Sequence, residues 1–271
     1  RAGEHFDLVE SPAPSEHHLQ EVMKMNPQLI PADDLGLDGD LLVIGRETSL
    51  ASGSIDLLCL ASSGDVVLVE FKTGPQNPDF RHALAQLIDY GSDLWRLSVD
   101  DFDRGVVQRF LRNGHAPEHL AGCHDLRDAI GRAGWALDPE ATDALLERLA
   151  DVLQSGDFHF VVAAQRFTET MRASLDYLNS TMRVGRFFLV EIVQLSGAEL
   201  TAHAAQVVAA PSRRTQASSS GPQVNTDETA FLASLDGDEY RDAFRDFLAA
   251  CSALGLVLAW RSKGLSIRIR T

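Results

Sequence analysis

Cysteines are scarce in this chain, and none stands close to another. Cys59, Cys123 and Cys251 are an odd number, widely spaced, with no Cys-x-x-Cys pair. That spacing suggests neither a disulfide framework nor a zinc knuckle, and a reducing, cytoplasmic setting is expected. Long apolar runs are missing too. None approaches the roughly 20 residues that span a bilayer, so no membrane partner is expected. The opening residues, Arg1 to Glu10, are mixed and charged and do not read as a signal peptide. There is no internal repeat, no Gly-rich phosphate loop and no Gly-x-Ser-x-Gly elbow, so nucleophilic Ser or Cys catalysis has no support. Basic residues are outnumbered: 24 Lys and Arg face 39 Asp and Glu, a net charge of -15. Such a balance argues against a broad, non-specific coat for nucleic acid.

What remains is ordinary for a globular protein. The 271 residues suit one large domain with a small appendage, and 45% hydrophobic with 23% charged residues allow a sizeable core. Charge is unevenly spread. Residues 211–271 hold 8 Lys and Arg against 7 Asp and Glu, a balance of +1, which leaves -16 on the first 210. The last twelve residues carry Arg261, Lys263, Arg268 and Arg270 and no acid. A basic tail of this kind suits DNA or a partner, and equally a solvated strand end.

The pattern of elements predicts an α/β fold. Ser15 is placed to cap a helix carrying Leu19, Val22 and Met23, which Asn26-Pro27 ends. Strands are expected over 41–47, 54–60 and 66–72, the last two joined by the turn Ala61-Ser62-Ser63-Gly64-Asp65. A helix follows over about 78–96. A helical, loop-broken insert occupies about 100–155. Then come a strand at 158–164, a helix at 168–179 and a last strand of the body at 186–195. Residues 211–226, rich in Ser, Thr, Gln, Gly and Pro, read as a flexible linker. A small unit at 227–271 is expected to hold a helix over 238–254 and strands over 255–261 and 264–270, turning at Ser262-Lys263. The order α, β, β, β, α, insert, β, α, β predicts a mixed β-sheet flanked by helices.

Chemistry concentrates in one hairpin. The strands Ser54-Ile55-Asp56-Leu57-Leu58-Cys59-Leu60 and Val66-Val67-Leu68-Val69-Glu70-Phe71-Lys72 are nearly continuous apolar runs, as in strands buried on both faces. Charges there are costly unless paired or metal-bound. If the loop is 61–65, Leu60 faces Val66, and Asp56 falls opposite Glu70 on one face, with Lys72 two residues on. Two opposed carboxylates repel unless a cation lies between them. Mg²⁺, which takes carboxylate oxygens and keeps several waters, meets that need. Lys72 would then position the attacking water or neutralise charge on a phosphate. A one-residue slip would undo this geometry.

Gly53-Ser54-Ile55-Asp56-Leu57-Leu58 followed by Val69-Glu70-Phe71-Lys72 resembles the PD-(D/E)XK nuclease superfamily, most of all its NucS-type and RecB-like branch. The resemblance implies an αβββαβ, restriction-endonuclease-like core and hydrolysis of DNA phosphodiesters with Mg²⁺ or Mn²⁺. It implies a metal site of Asp56, Glu70 and the Phe71 carbonyl, with Lys72 catalytic. The family's first-helix acid would be Glu16, in Ser15-Glu16-His17-His18-Leu19-Gln20, with Glu21 as the alternative; Glu16 also suits a helix first turn electrostatically. Gln86 and Tyr90, four apart on one helix face, resemble the family's Gln-x-x-x-Tyr element, which supports the site or touches substrate. Two departures stand out. Ser54 occupies a position where many relatives have Arg, and Thr73-Gly74-Pro75 follows the Lys where a second basic residue is common. Both weaken phosphate contacts.

The histidines offer less. His17 and His18 are adjacent and point about 100° apart on a helix. His115 and His119 have chelating spacing, beside Cys123 and His124, but Gly114 and Pro117 oppose a regular helix there. The expected function is thus a metal-dependent DNA endonuclease, in DNA repair or defence, with a homodimer suited to cutting two strands. The rivals are an inactive nuclease-fold module that only binds nucleic acid, and an interaction protein that docks through its basic C-terminal unit.

Overall fold

A computed structural model describes residues 8–12, 15–37, 39–72, 80–114, 116–197, 200–211, 228–233, 238–254, 257–261 and 264–268. The chain divides into two compact units, Arg1–Arg213 and Arg214–Thr271.

The first unit is built on a mixed seven-stranded sheet. Its elements begin with β1 (Val9–Ser11), α1 (Glu16–Met25), β2 (Leu42–Ser49), β3 (Ser54–Leu60), β4 (Val66–Lys72) and α2 (Phe80–Leu94). The insert follows as α3 (Val99–Phe102), a π-helical turn (Asp103–Val107), α4 (Gln108–Arg112), α5 (Leu126–Gly131) and α6 (Pro139–Ser155). Then come β5 (His159–Ala164), α7 (Glu169–Thr181), β6 (Arg186–Gly197) and β7 (Leu200–Ala209). The expected α/β class, a mixed sheet flanked by helices, is what the chain adopts. The expected end of the body at β6 is corrected, because β6 turns back into β7 and pairs with it antiparallel over its length. β1, only three residues long, was also not expected; it pairs with the far end of β6.

Local sequence explains most boundaries. Ser15 caps α1, accepting the His18 amide at 3.1 Å. Asp138 caps α6 with Pro139 in its first turn, and Gly156 ends it in a left-handed conformation. β2, β3 and β4 form an antiparallel meander; β4, β5 and β6 run parallel, joined by the helical crossovers that parallel pairing requires. β3 and β4 are buried along almost their whole length, as continuous apolar runs demand.

At the amino ends of β4 and β5 lies a part-buried charged network around Asp65 and His159. Arg148 from α6 donates to Asp65 at 2.7 Å, and Arg186 donates to Asp157 at 2.7 Å and to His159 Nε2 at 3.1 Å. Burial works against ionising Asp65, but hydrogen bonds from Ser63 and Arg148 outweigh it and hold its pKa below the ordinary carboxylate range. Burial, then the nearby Arg186, lowers the His159 pKa to about 4. His159 stacks on Phe188 with centroids 5.6 Å apart. Gly64 closes the adjoining turn at φ 90°, where a Cβ would sit 2.5 Å from the Leu145 carbonyl.

The second unit holds α8 (Glu228–Ala233), α9 (Asp238–Ala253) and a hairpin of β8 (Val257–Arg261) and β9 (Gly264–Arg268). Phe231 and Phe244 bring the two helices together edge to face, 5.4 Å apart. Arg261 and Arg268 lie on the hairpin, whereas Lys263, Arg270 and most of the expected linker and turn fall outside the described residues.

Candidate active site at a forked strand pair

β3 and β4 leave their turn as a regular ladder, pairing Leu60 with Val66 through to Leu57 with Val69, the register that the turn implies. The ladder then stops, one step short of the expected Asp56–Glu70 pair. Ser54 and Ile55 stay with Ser49 and Thr48 of β2, while Glu70, Phe71 and Lys72 stay with Val162, Ala163 and Ala164 of β5. Each strand follows its outer neighbour, and a fork opens between them. A continuing ladder would give the Phe71 amide to a β3 backbone carbonyl. Instead the Asp56 carboxylate reaches across, and its Oδ2 accepts that amide at 2.8 Å. A residue's N–H and C=O leave a strand by the same edge, so the Phe71 carbonyl faces the fork as well.

Glu70 is 3% exposed, and Lys72 Nζ donates to its Oε1 at 2.9 Å. Tyr90 of α2 is buried beside them. Its hydroxyl donates to the Ser54 carbonyl at 2.8 Å and accepts from Gln86 Nε2 at 3.3 Å. Burial raises the Tyr90 pKa; the negative charges of Glu70 and Asp56 raise it further, and Lys72 opposes them. One phenol thus feels all three charged groups. The structure therefore gathers Asp56, Glu70, Lys72, Gln86 and Tyr90 in one place, at the carboxyl end of β4, where α/β sheets commonly bind ligands. Gln86 Oε1 is buried there without a hydrogen-bond partner among the described residues.

The helix acids behave differently. Glu16 opens α1, but its side chain lies outside the described residues. Glu21 forms an ion pair with Arg46. Arg46 lies opposite Leu57 in the sheet and so shares the Leu57 face, whereas Asp56 points to the other. The alternative acid, Glu21, is thus engaged with Arg46, on the face away from Asp56. Two features escaped the sequence reading. Asp93 of α2 accepts both the backbone amide and the hydroxyl of Ser52, at 2.8 and 2.6 Å; its signal was its spacing of three from Tyr90, one helix face. Glu47, flanked by the partners of Leu57 and Ile55, holds a left-handed φ of 42° that side-chain-bearing residues seldom adopt.

The donors at the fork are hard oxygens: two carboxylates and a main-chain carbonyl. That set suits Mg²⁺ or Mn²⁺, which complete their shells with water, and suits a soft metal poorly. Among the described residues no group of three or more His, Cys, Asp or Glu side chains is placed to hold a metal ion, so waters and the carbonyl would have to supply the remaining positions. His115 lies outside the described residues, and the same observation gives His119, Cys123 and His124 no metal group. No helix among the described residues is long and apolar enough to cross a membrane. No protein-family model, curated protein or solved structure matches the chain.

Proposed function

We propose that this protein is a metal-dependent endonuclease that hydrolyses DNA phosphodiesters at the fork, as a member of the PD-(D/E)XK group. The observation that carries the reading is the pair of acids, Asp56 and Glu70, brought with Lys72 to the point where two apolar strands part. A purely structural role gives no reason to keep two acids in buried strands at such a site.

The roles follow from position. Asp56, Glu70 and the Phe71 carbonyl would hold Mg²⁺ or Mn²⁺, and the bound cation supplies Lewis-acid polarisation of the phosphodiester. Asp56 keeps its carboxylate fixed through the Phe71 amide. Lys72, mostly buried and hydrogen-bonded to Glu70, offers an ammonium to the charge that develops on the phosphate. Gln86, partly buried and hydrogen-bonded to Tyr90, would contact the substrate. The net charge of -15 argues against attraction for DNA over the whole surface, so the bound cation and Lys72 would have to supply it at the site. A homodimer would supply a second fork for the second strand.

One observation favours a second reading, a nuclease-fold module that binds without cutting. Lys72 is already engaged with Glu70, and no second basic residue follows it in the sequence. A single experiment separates the two. Nicking of a plasmid and of a labelled single strand is followed with Mg²⁺, Mn²⁺ or EDTA, for wild type, Asp56→Ala and Lys72→Ala. Metal-dependent cutting lost in both variants supports the endonuclease. Binding of DNA without cutting in any metal supports the second reading.

A further inference from the structure

We infer that Tyr90 and Asp93 are positioning residues, a two-point clamp by which α2 fixes the start of β3 and so sets where the Asp56 carboxylate meets β4. This inference deepens the proposed reading of the fork and rests on it for its catalytic meaning. Past Leu57, β3 has lost β4 as a neighbour and keeps only β2. A strand held along one edge needs a second support if a side chain on it is to stay in place to within about half an ångström, the tolerance of a catalytic group.

α2 supplies that support at successive positions of the chain. Asp93 Oδ2 takes the amide and the hydroxyl of Ser52. The Tyr90 ring lies against Gly53, where an added Cβ would come within 3.3 Å of it. The Tyr90 hydroxyl donates to the Ser54 carbonyl at 2.8 Å, two residues before Asp56. Tyr90 and Asp93 are three residues apart, on one face of a 15-residue helix that packs on β4. The same helix thus grips β3 from outside while lying on β4, and it holds the width of the fork. With its hydroxyl spent on Ser54, Tyr90 is assigned to the scaffold, and the substrate contact expected of the pair falls to Gln86.

The amide of Phe71 reports directly on the position of Asp56, because it donates to that carboxylate. Hydrogen exchange is measured by NMR on the full chain for wild type, Tyr90→Phe and Asp93→Asn, together with Mn²⁺ binding to the protein alone. Tyr90→Phe keeps the ring and removes only the hydroxyl bond. The clamp predicts that exchange at Phe71 quickens about 10-fold in both variants, the scale of one lost hydrogen bond. Val67 and Val69, still paired with β3, keep wild-type protection. Mn²⁺ binding weakens by about the same factor. Unchanged protection of Phe71 in both variants overturns the clamp, whatever the metal does. Should Tyr90→Phe fail to fold, Asp93→Asn reads the same amide. Absence of Mn²⁺ binding by wild type overturns the metal reading of the fork instead, and exchange at Phe71 still decides the clamp.

Discussion

At the amino ends of β4 and β5, Asp65 and Asp157 are matched by Arg148 and Arg186, and His159 beside them stays neutral. At the carboxyl end of β4, Asp56 accepts the Phe71 amide, and Glu70 accepts from the ammonium of Lys72. The two clusters are built differently: ion pairs between separate elements at the amino end, and two acids converging with one lysine at the carboxyl end. Balanced buried pairs stitch elements together, and breaking one is costly because its partner is left uncompensated. Two acids that converge on a fork between strands have, under the proposed function, a different use: they would hold a divalent cation. Under the proposed function, the comparison gives stability to one end of the sheet and chemistry to the other.

The sharpest way to break that assignment is to neutralise each end in turn. Asp56→Asn at the fork is expected to lower cutting by at least about a thousandfold, roughly 4 kcal/mol in transition-state terms, with urea unfolding little changed. If stability collapses while cutting per folded molecule survives, the two ends have been assigned the wrong way round. Asp65→Asn is expected to do the reverse. It should destabilise the fold by about 1 kcal/mol, as the buried Asp65 position loses its charge-assisted bond to the half-exposed Arg148, and leave cutting per folded molecule intact.

Acid should find the amino end first. Below an unfolded pKa of about 6.5 the unfolded chain protonates His159, while the native chain resists until its pKa of about 4. Over that window the unfolded state binds more protons, so stability falls as pH falls, by an amount on the order of a few kcal/mol. Asp65, whose native acidity is enhanced, adds a loss in the same direction at still lower pH. Urea midpoints measured between pH 7 and pH 4 should drop in wild type and drop less in His159→Phe. The smallest effect expected is that of Ser63→Ala, which removes one hydrogen bond to Asp65. It should cost about 1 kcal/mol or less and raise the Asp65 pKa, as followed by NMR titration.

The sequence made the hairpin legible because its signals are local. The turn 61–65 sets the register of Leu60 with Val66, and the apolar runs set the burial of Leu57 to Leu60 and Val66 to Val69. The site residues could be picked because charge in such runs is conspicuous. The fork was not legible. It arises where β5 and β2 win the pairing of β4 and β3, which are contacts between segments far apart in sequence. For the same reason nothing in the sequence singled out Asp93, and Glu21 stood as the alternative to Glu16 until Arg46 was placed beside it. β7 was overlooked because Leu200 to Ala209 is mostly small and only partly buried, so neither alternation nor a continuous apolar run marks it.

Gly64 carries a consequence for genetics. Its left-handed turn is pressed so closely on α6 that even a methyl group would meet the Leu145 carbonyl. In a saturation-mutagenesis survey scored separately for cellular abundance and for enzymatic output, every allele at codon 64 should vanish from the abundance score. Under the proposed function, Asn at codon 56, which can still accept the Phe71 amide, should persist there and vanish only from the output score. A map of which codons belong to each group would trace the two ends of the sheet without any further structural work.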